Sequence, residues 1–227
     1  MVKINPLVAD LSGSLGGITF SRNAYGPYAK RKASSVQPQT PAQMANRSAW
    51  SGIAKAWTTD LSQSQRDGWA GLATRVSFTD VFGLPQKLAA NTLFQMINMQ
   101  LYTAGVVRLD AAPLNLNVRS IVSANFGSFT PGDSSFEVDF AQDCTATEKL
   151  VLLGVKNVNP GVSFVKGDLR IVSVSAATQT ASWIGDWPVT GGDFILGAKV
   201  VGFLRRINLV NGAMTPGLRI EGTVTAV

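Results

Sequence analysis

Apolar and polar positions alternate over residues 18–21, with Ile18 and Phe20 set against Thr19 and Ser21. A period of two marks a short strand with one face for burial. Gly16-Gly17 before it and Tyr25-Gly26-Pro27 after it are turn punctuation, and the stretch from Tyr28 to Ser35 can return as a second strand. The pattern predicts a β-hairpin within an extended arm, residues 1–39. VQPQTP (36–41) follows as a helix-excluding hinge.

The period then changes. Thr40 as N-cap, Pro41 at the first helical position and Gln43 in a capping box open a helix. Trp50, Ile53, Ala54 and Trp57 follow at the spacing of one buried face. A shorter helix, SQSQRDGWAGLATR, puts Trp69, Leu72 and Ala73 on one side. A third runs from about Gln86 to Thr103 and stops at Gly105; Leu93, Ile97 and Leu101 form its stripe, with Phe94, Met96 and Met99 off it. Residues 40–105 therefore read as a three-helix unit. Its predicted core is Trp50, Ile53, Trp57, Trp69, Leu72, Leu93, Ile97 and Leu101.

APLNLN closes a linker, 106–117, after which short alternating runs take over: FEVDF, LRIVSVS, VVGFLRRINLV and LRIEGTVTAV. Asn211-Gly212 between the last two is a hairpin signal. Roughly seven strands over 118–227 fit an immunoglobulin-like or fibronectin-like β-sandwich. The fold class expected is α+β and multidomain: β-arm, small helical unit, C-terminal sandwich.

Charge singles out the arm. Lys3, Arg22, Lys30, Arg31, Lys32, Arg47 and Lys55 face one acid, Asp10, within residues 1–55, so the whole net charge of +6 falls there. Such a segment seeks an acidic neighbour. A lone hairpin is marginal in water, so Ile18, Phe20, Tyr25 and Tyr28 together with Arg22, Lys30, Arg31, Lys32 and Arg47 are expected to dock on another polypeptide. Charged residues are only 15% of the chain, which suits a subunit buried in an assembly.

Catalytic chemistry finds little support. The chain has no histidine, which removes Ser-His-Asp and Cys-His catalysis and the commonest zinc sites. The single cysteine, Cys144, reads as a small core or half-exposed residue, and no intrachain disulfide can form. GSLGG lacks the Gly-Lys-Ser/Thr ending of a phosphate loop. Glu137 and Asp139 share the solvent face of their strand, and no calcium-loop spacing surrounds them. No catalytic residue, metal or cofactor is expected. Lys30, Arg31 and Lys32 beside two tyrosines also suit nucleic acid, although no nucleic-acid module follows. Trp183 and Trp187 are either core or a surface patch for binding a receptor or glycan. The N-terminus lacks a signal-peptide apolar run and no stretch is long enough to span a bilayer.

Residues 13–105 resemble a group of uncharacterised proteins from phages, prophages and environmental bacteria. The shared pattern falls on Gly16, Gly17, Arg22, Gly26, Arg31, Pro38, Thr40, Gln43 and Arg47, then on Trp57, Leu61, Arg66 and Trp69, and on the helix LAANTLFQMINMQLYTAG. This chain departs from it at Ser34-Ser35-Val36, where members often carry a proline. The resemblance implies a virion-associated structural protein ending in an immunoglobulin-like domain, made in the host cytoplasm. Its partners would be capsid, neck or tail proteins and further copies of itself, with Arg22, Arg31 and Arg47 pairing with their carboxylates.

Overall fold

The computed structural model describes residues 2–3, 13–23, 26–32, 39–79, 85–165, 169–188 and 193–226. Among them the chain is mixed α and β, and every ladder is antiparallel. It divides into two compact units, Met1–Ala45 and Asn46–Val227.

The first unit holds β1 (Val2–Lys3), β2 (Gly13–Leu15), β3 (Ile18–Asn23) and β4 (Gly26–Arg31), in the order β1-β4-β3-β2. The expected hairpin is the β3–β4 pair, in register from Ile18 opposite Arg31 to Asn23 opposite Gly26. The alternation around Phe20 therefore reported a strand correctly, and a strand is added on each side of it. Half of the expected hinge, residues 36–38, lies outside the described residues.

Three helices follow among the described residues. In α1 (Pro41–Thr59) the Gln43 N–H reaches Thr40 Oγ1 at 3.4 Å. The full reciprocal capping box sits instead on α2 (Gln63–Arg75), where Ser62 and Gln65 exchange side-chain and backbone bonds of 3.3 and 2.8 Å. β5 (Phe78–Thr79) then pairs with β6 (Pro85–Gln86), which delays α3 (Ala90–Thr103) by four residues from its expected start.

Ile53, Trp69, Leu72, Leu93, Ile97 and Leu101 are buried together, with Trp57 packed on them. Phe94 joins them: its ring lies 5.5 Å from Trp57 and 5.3 Å edge-on to Trp69. Arg66 donates to the Trp57 and Thr58 carbonyls, each at 2.9 Å, and so satisfies the otherwise open C-terminal end of α1. Trp50 does not belong to this core, for it is 47% exposed. The inward side of α1 is supplied by Ile53 and Ala56, and Trp50 lies instead at the rim of a groove beside Met96 and Met99.

The stretch 106–117, expected as a linker, is held down on the helices. Val106, Leu109, Ala112 and Leu116 pack on the helical core. Buried Asn98 donates to Phe94 O and Leu109 O at 3.0 and 3.1 Å and accepts from Leu109 N at 2.6 Å. The Trp69 indole N–H donates to Asp110 O at 2.9 Å, and Arg108 bridges Asp110 and Asp60. Backbone groups that would otherwise be buried unpaired thus gain partners.

Seven further strands form two layers: β7 (Ala124–Phe126), β8 (Ser135–Phe140), β9 (Glu148–Val158), β10 (Arg170–Val174), β11 (Ser182–Asp186), β12 (Lys199–Asn208) and β13 (Leu218–Thr223). One sheet runs β10-β9-β12-β13, the other β11-β8-β7. Alternation in FEVDF sends Phe136, Val138 and Phe140 inward against Leu150, Leu152, Val200, Leu204 and Ile220. Trp183 and Trp187 are core residues, 4% and 6% exposed, which removes them as a surface patch. The reason is register: Trp183 lies opposite Val138 on the inner face, so its neighbour Ile184 points outward. Trp187 packs among Phe129, Phe136 and Phe194. Gly154 makes room for it, since a Cβ there would stand 2.7 Å from the indole edge.

The outer face of the larger sheet seats the end of α3. Ala104, Val151 and Ile207 form a buried cluster, and Lys149 Nζ donates to Ala104 O at 2.9 Å. The tip of the β12–β13 hairpin meets the same helix at Gly212, whose φ is +68°; a Cβ there would lie 2.5 Å from Ile97 Cγ2. Gly212→Ala is expected to cost about 2–4 kcal/mol through backbone strain and overpacking. Asn98→Leu should cost about 2–4 kcal/mol by stranding both polar groups of Leu109. Urea unfolding of the full chain measures both, and unchanged midpoints would contradict the packing described.

Candidate interaction surfaces

Directly opposed residues of an antiparallel pair lie on one face of the sheet. The β2–β3 and β3–β4 registers therefore place Leu15, Ile18, Phe20, Ala29 and Arg31 on one side of the arm. Ser14, Thr19, Ser21, Tyr28 and Lys30 lie on the other, where the Ser14 and Thr19 hydroxyls bond at 2.9 Å. The arm is an amphipathic sheet. Yet Leu15 is 78% and Ile18 47% exposed, and among the described residues of this unit none is buried.

A sheet with one apolar face has to cover that face with a second layer. Here the sequence reading was incomplete: it chose Ile18 and Phe20 but missed Leu15, the most exposed apolar side chain of the sheet. The signal was present, because Gly16-Gly17 closes a two-residue turn that sets Leu15 opposite Ile18.

The remaining expected docking residues are spread. Lys30 and Arg31 are exposed but project to opposite faces, and Lys32 follows β4 with its N–H on Gly17 O at 2.8 Å. The expected cluster is therefore divided, with Lys30 on the Tyr28 face and Arg31 on the Ile18 face. Arg22 is placed in β3 opposite Pro27. Arg47 is exposed on α1, in the second unit. Tyr25 lies outside the described residues.

The groups with catalytic potential sit in structural roles. Cys144 is buried at the end of the sandwich, and burial pushes its thiol above the ordinary range, away from the nucleophilic thiolate. Arg206, also buried, donates to the Gln142 carbonyl at 2.6 Å. Glu148 is 3% exposed and receives the Arg119 guanidinium on both carboxylate oxygens, with Thr145 N at 3.1 Å. The Arg119 bond, aided by Thr145, holds its carboxyl at about 2 against the ordinary 4.5. Among the described residues no His/Cys/Asp/Glu group could hold a metal ion, and no helix is long and apolar enough to cross a membrane.

No protein-family model matches the chain, and no curated protein or solved structure is similar to it.

A carboxylate depressed by folding stabilises the fold above its unfolded pKa, and that contribution is lost as the pH falls through the folded value. For Glu148 the window runs from about 4.5 down to about 2. Glu148→Gln should therefore be less stable than the parent at pH 7 by about 2 kcal/mol, a figure discounted for the exposure of Arg119. The gap should shrink towards pH 2.5. Denaturant titrations of both proteins at the two pH values read it directly; a gap independent of pH would remove the charge from the account.

Proposed function

We propose that the chain is a non-enzymatic structural subunit of a bacteriophage virion, at the capsid surface, neck or tail. The arm docks on neighbouring subunits and the β-sandwich projects as a spacer or adhesion surface. The observation that carries this reading is the exposure of Leu15 and Ile18 on the apolar face of a sheet in which none of the residues described for burial is buried. A neighbouring polypeptide with apolar side chains and carboxylates supplies both the missing layer and the counter-charge for Arg31. Strand addition to β2, an edge strand among the described residues, is a further means of attachment.

The virion setting is supported by the resemblance of the arm and the first helices to the phage and prophage group. Several of the shared positions have concrete work in this chain: Arg66 closes α1, Leu61 is buried, and Trp57 and Trp69 enclose Phe94. The sandwich reading is supported by strand distribution. The first, second and fifth strands make one sheet and the third, fourth, sixth and seventh the other, as in a fibronectin-like relative of the immunoglobulin fold.

The test removes residues 1–32 from the chain expressed in the host that makes the particles. The shortened protein should keep a cooperative thermal transition within a few degrees of the parent, yet be missing from purified particles by mass spectrometry. In particles holding the full chain, the amides of β2–β4 should exchange at least tenfold more slowly than in the free protein. Wild-type incorporation without the arm overturns the proposal. Salt-sensitive DNA binding abolished by changing Lys30, Arg31 and Lys32 to Ala would put nucleic acid in the partner's place.

A further inference from the structure

Where α3 leaves the outer face of the β10-β9-β12-β13 sheet, a groove of about 520 Å³ opens. Trp50, Met96 and Met99 line its helical side, and Ile171, Arg205 and Met214 line its other side. Trp50 and Ile171 are 47% and 48% exposed, so the groove is open rather than enclosed. Among the described residues, Arg205 is the only charged one that lines it.

Among the described residues no carboxylate is paired with Arg205. Its Nε is shut off from solvent with no hydrogen-bond partner, and Nη1 has the Met214 sulfur at 3.9 Å. Arg219, which shares a neighbouring cleft with it, is by contrast engaged by Glu221 and by the Ser163 carbonyl. A guanidinium in apolar surroundings gains most from a planar anion that meets its donors in pairs.

We propose that this groove receives an apolar segment of a partner polypeptide that brings an Asp or Glu to Arg205. A polypeptide fits better than a fatty acid for two reasons. Small-ligand pockets bury most of the ligand surface, which a groove with half-exposed rims does not do. Tryptophan, methionine and arginine are also the side chains enriched at the centre of protein interfaces, and methionine adapts to irregular partners. Residues 13–32 contain no acidic side chain, so strands β2–β4 of another copy's arm are not that segment.

The experiment pans a displayed library of random dodecapeptides on the immobilised full-length chain. Recovered peptides should share apolar anchors and an acidic residue at a fixed spacing from them. Arg205→Gln should weaken their binding by about tenfold or more, and replacing the peptide acid by its amide should then cost nothing further. Trp50→Ala, a change at an exposed site, should weaken the same peptides while the melting temperature stays put. Removing residues 1–32 should leave their affinity unchanged, which separates this proposal from the role of the arm. Recovery of no peptide, of peptides without a fixed acid, or of peptides indifferent to Arg205→Gln and Trp50→Ala overturns it. Binding of sodium dodecanoate, but of no peptide, in an Arg205-dependent manner also overturns it and makes the groove an amphiphile site.

Discussion

The larger unit depends on how the end of α3 is seated on a β-sheet. Ala104 is small enough to let the helix terminus approach Val151 and Ile207, and Lys149 reaches up from β9 to the Ala104 carbonyl. A cation at a helix C-terminus meets both an open acceptor and the negative end of the helix dipole. Gly212 touches Ile97 from the hairpin side, so helix and hairpin tip leave each other no slack. Helices and sandwich therefore share one compact unit, although their sequences look like separate domains.

The same seat explains what the sequence disclosed and what it withheld. Strand β8 was legible because one of its faces meets core and the other solvent, so Phe136 to Phe140 alternate without a break. The stripe Leu93, Ile97, Leu101 was legible for the same reason at helical period. Phe94 was not, because α3 is covered from two directions and a helix buried on two sides loses its single-stripe signature. Trp50 shows the converse: periodicity gives the direction in which a residue faces but not how far the neighbouring helix extends to cover it.

Asn98 and the 106–117 segment mark a further limit. A stretch rich in Leu, Asn and Pro has the composition of a linker, and its fixed path depends on a side chain from α3 and on the indole of Trp69. Long-range hydrogen bonds leave no periodic trace. Trp183 was ambiguous because a five-residue strand is too short to reveal which face is inward until its partner β8 is known. At the candidate site, the hairpin, its charge and the alternation of Ile18 and Phe20 were legible, whereas the placing of Leu15, Ala29 and Arg31 on the same face emerged only from the register.

That split has a consequence for the free protein. An uncovered apolar sheet is a natural place for two identical molecules to stick together, and natural sheets commonly guard such surfaces with charge. Arg31 lies on the apolar face itself, opposite Ile18. When two copies meet through that face, like charges are pressed into a shrinking, water-poor gap, and the encounter is penalised. Burying that face against a second copy therefore carries a like-charge and desolvation cost that an acidic partner relieves.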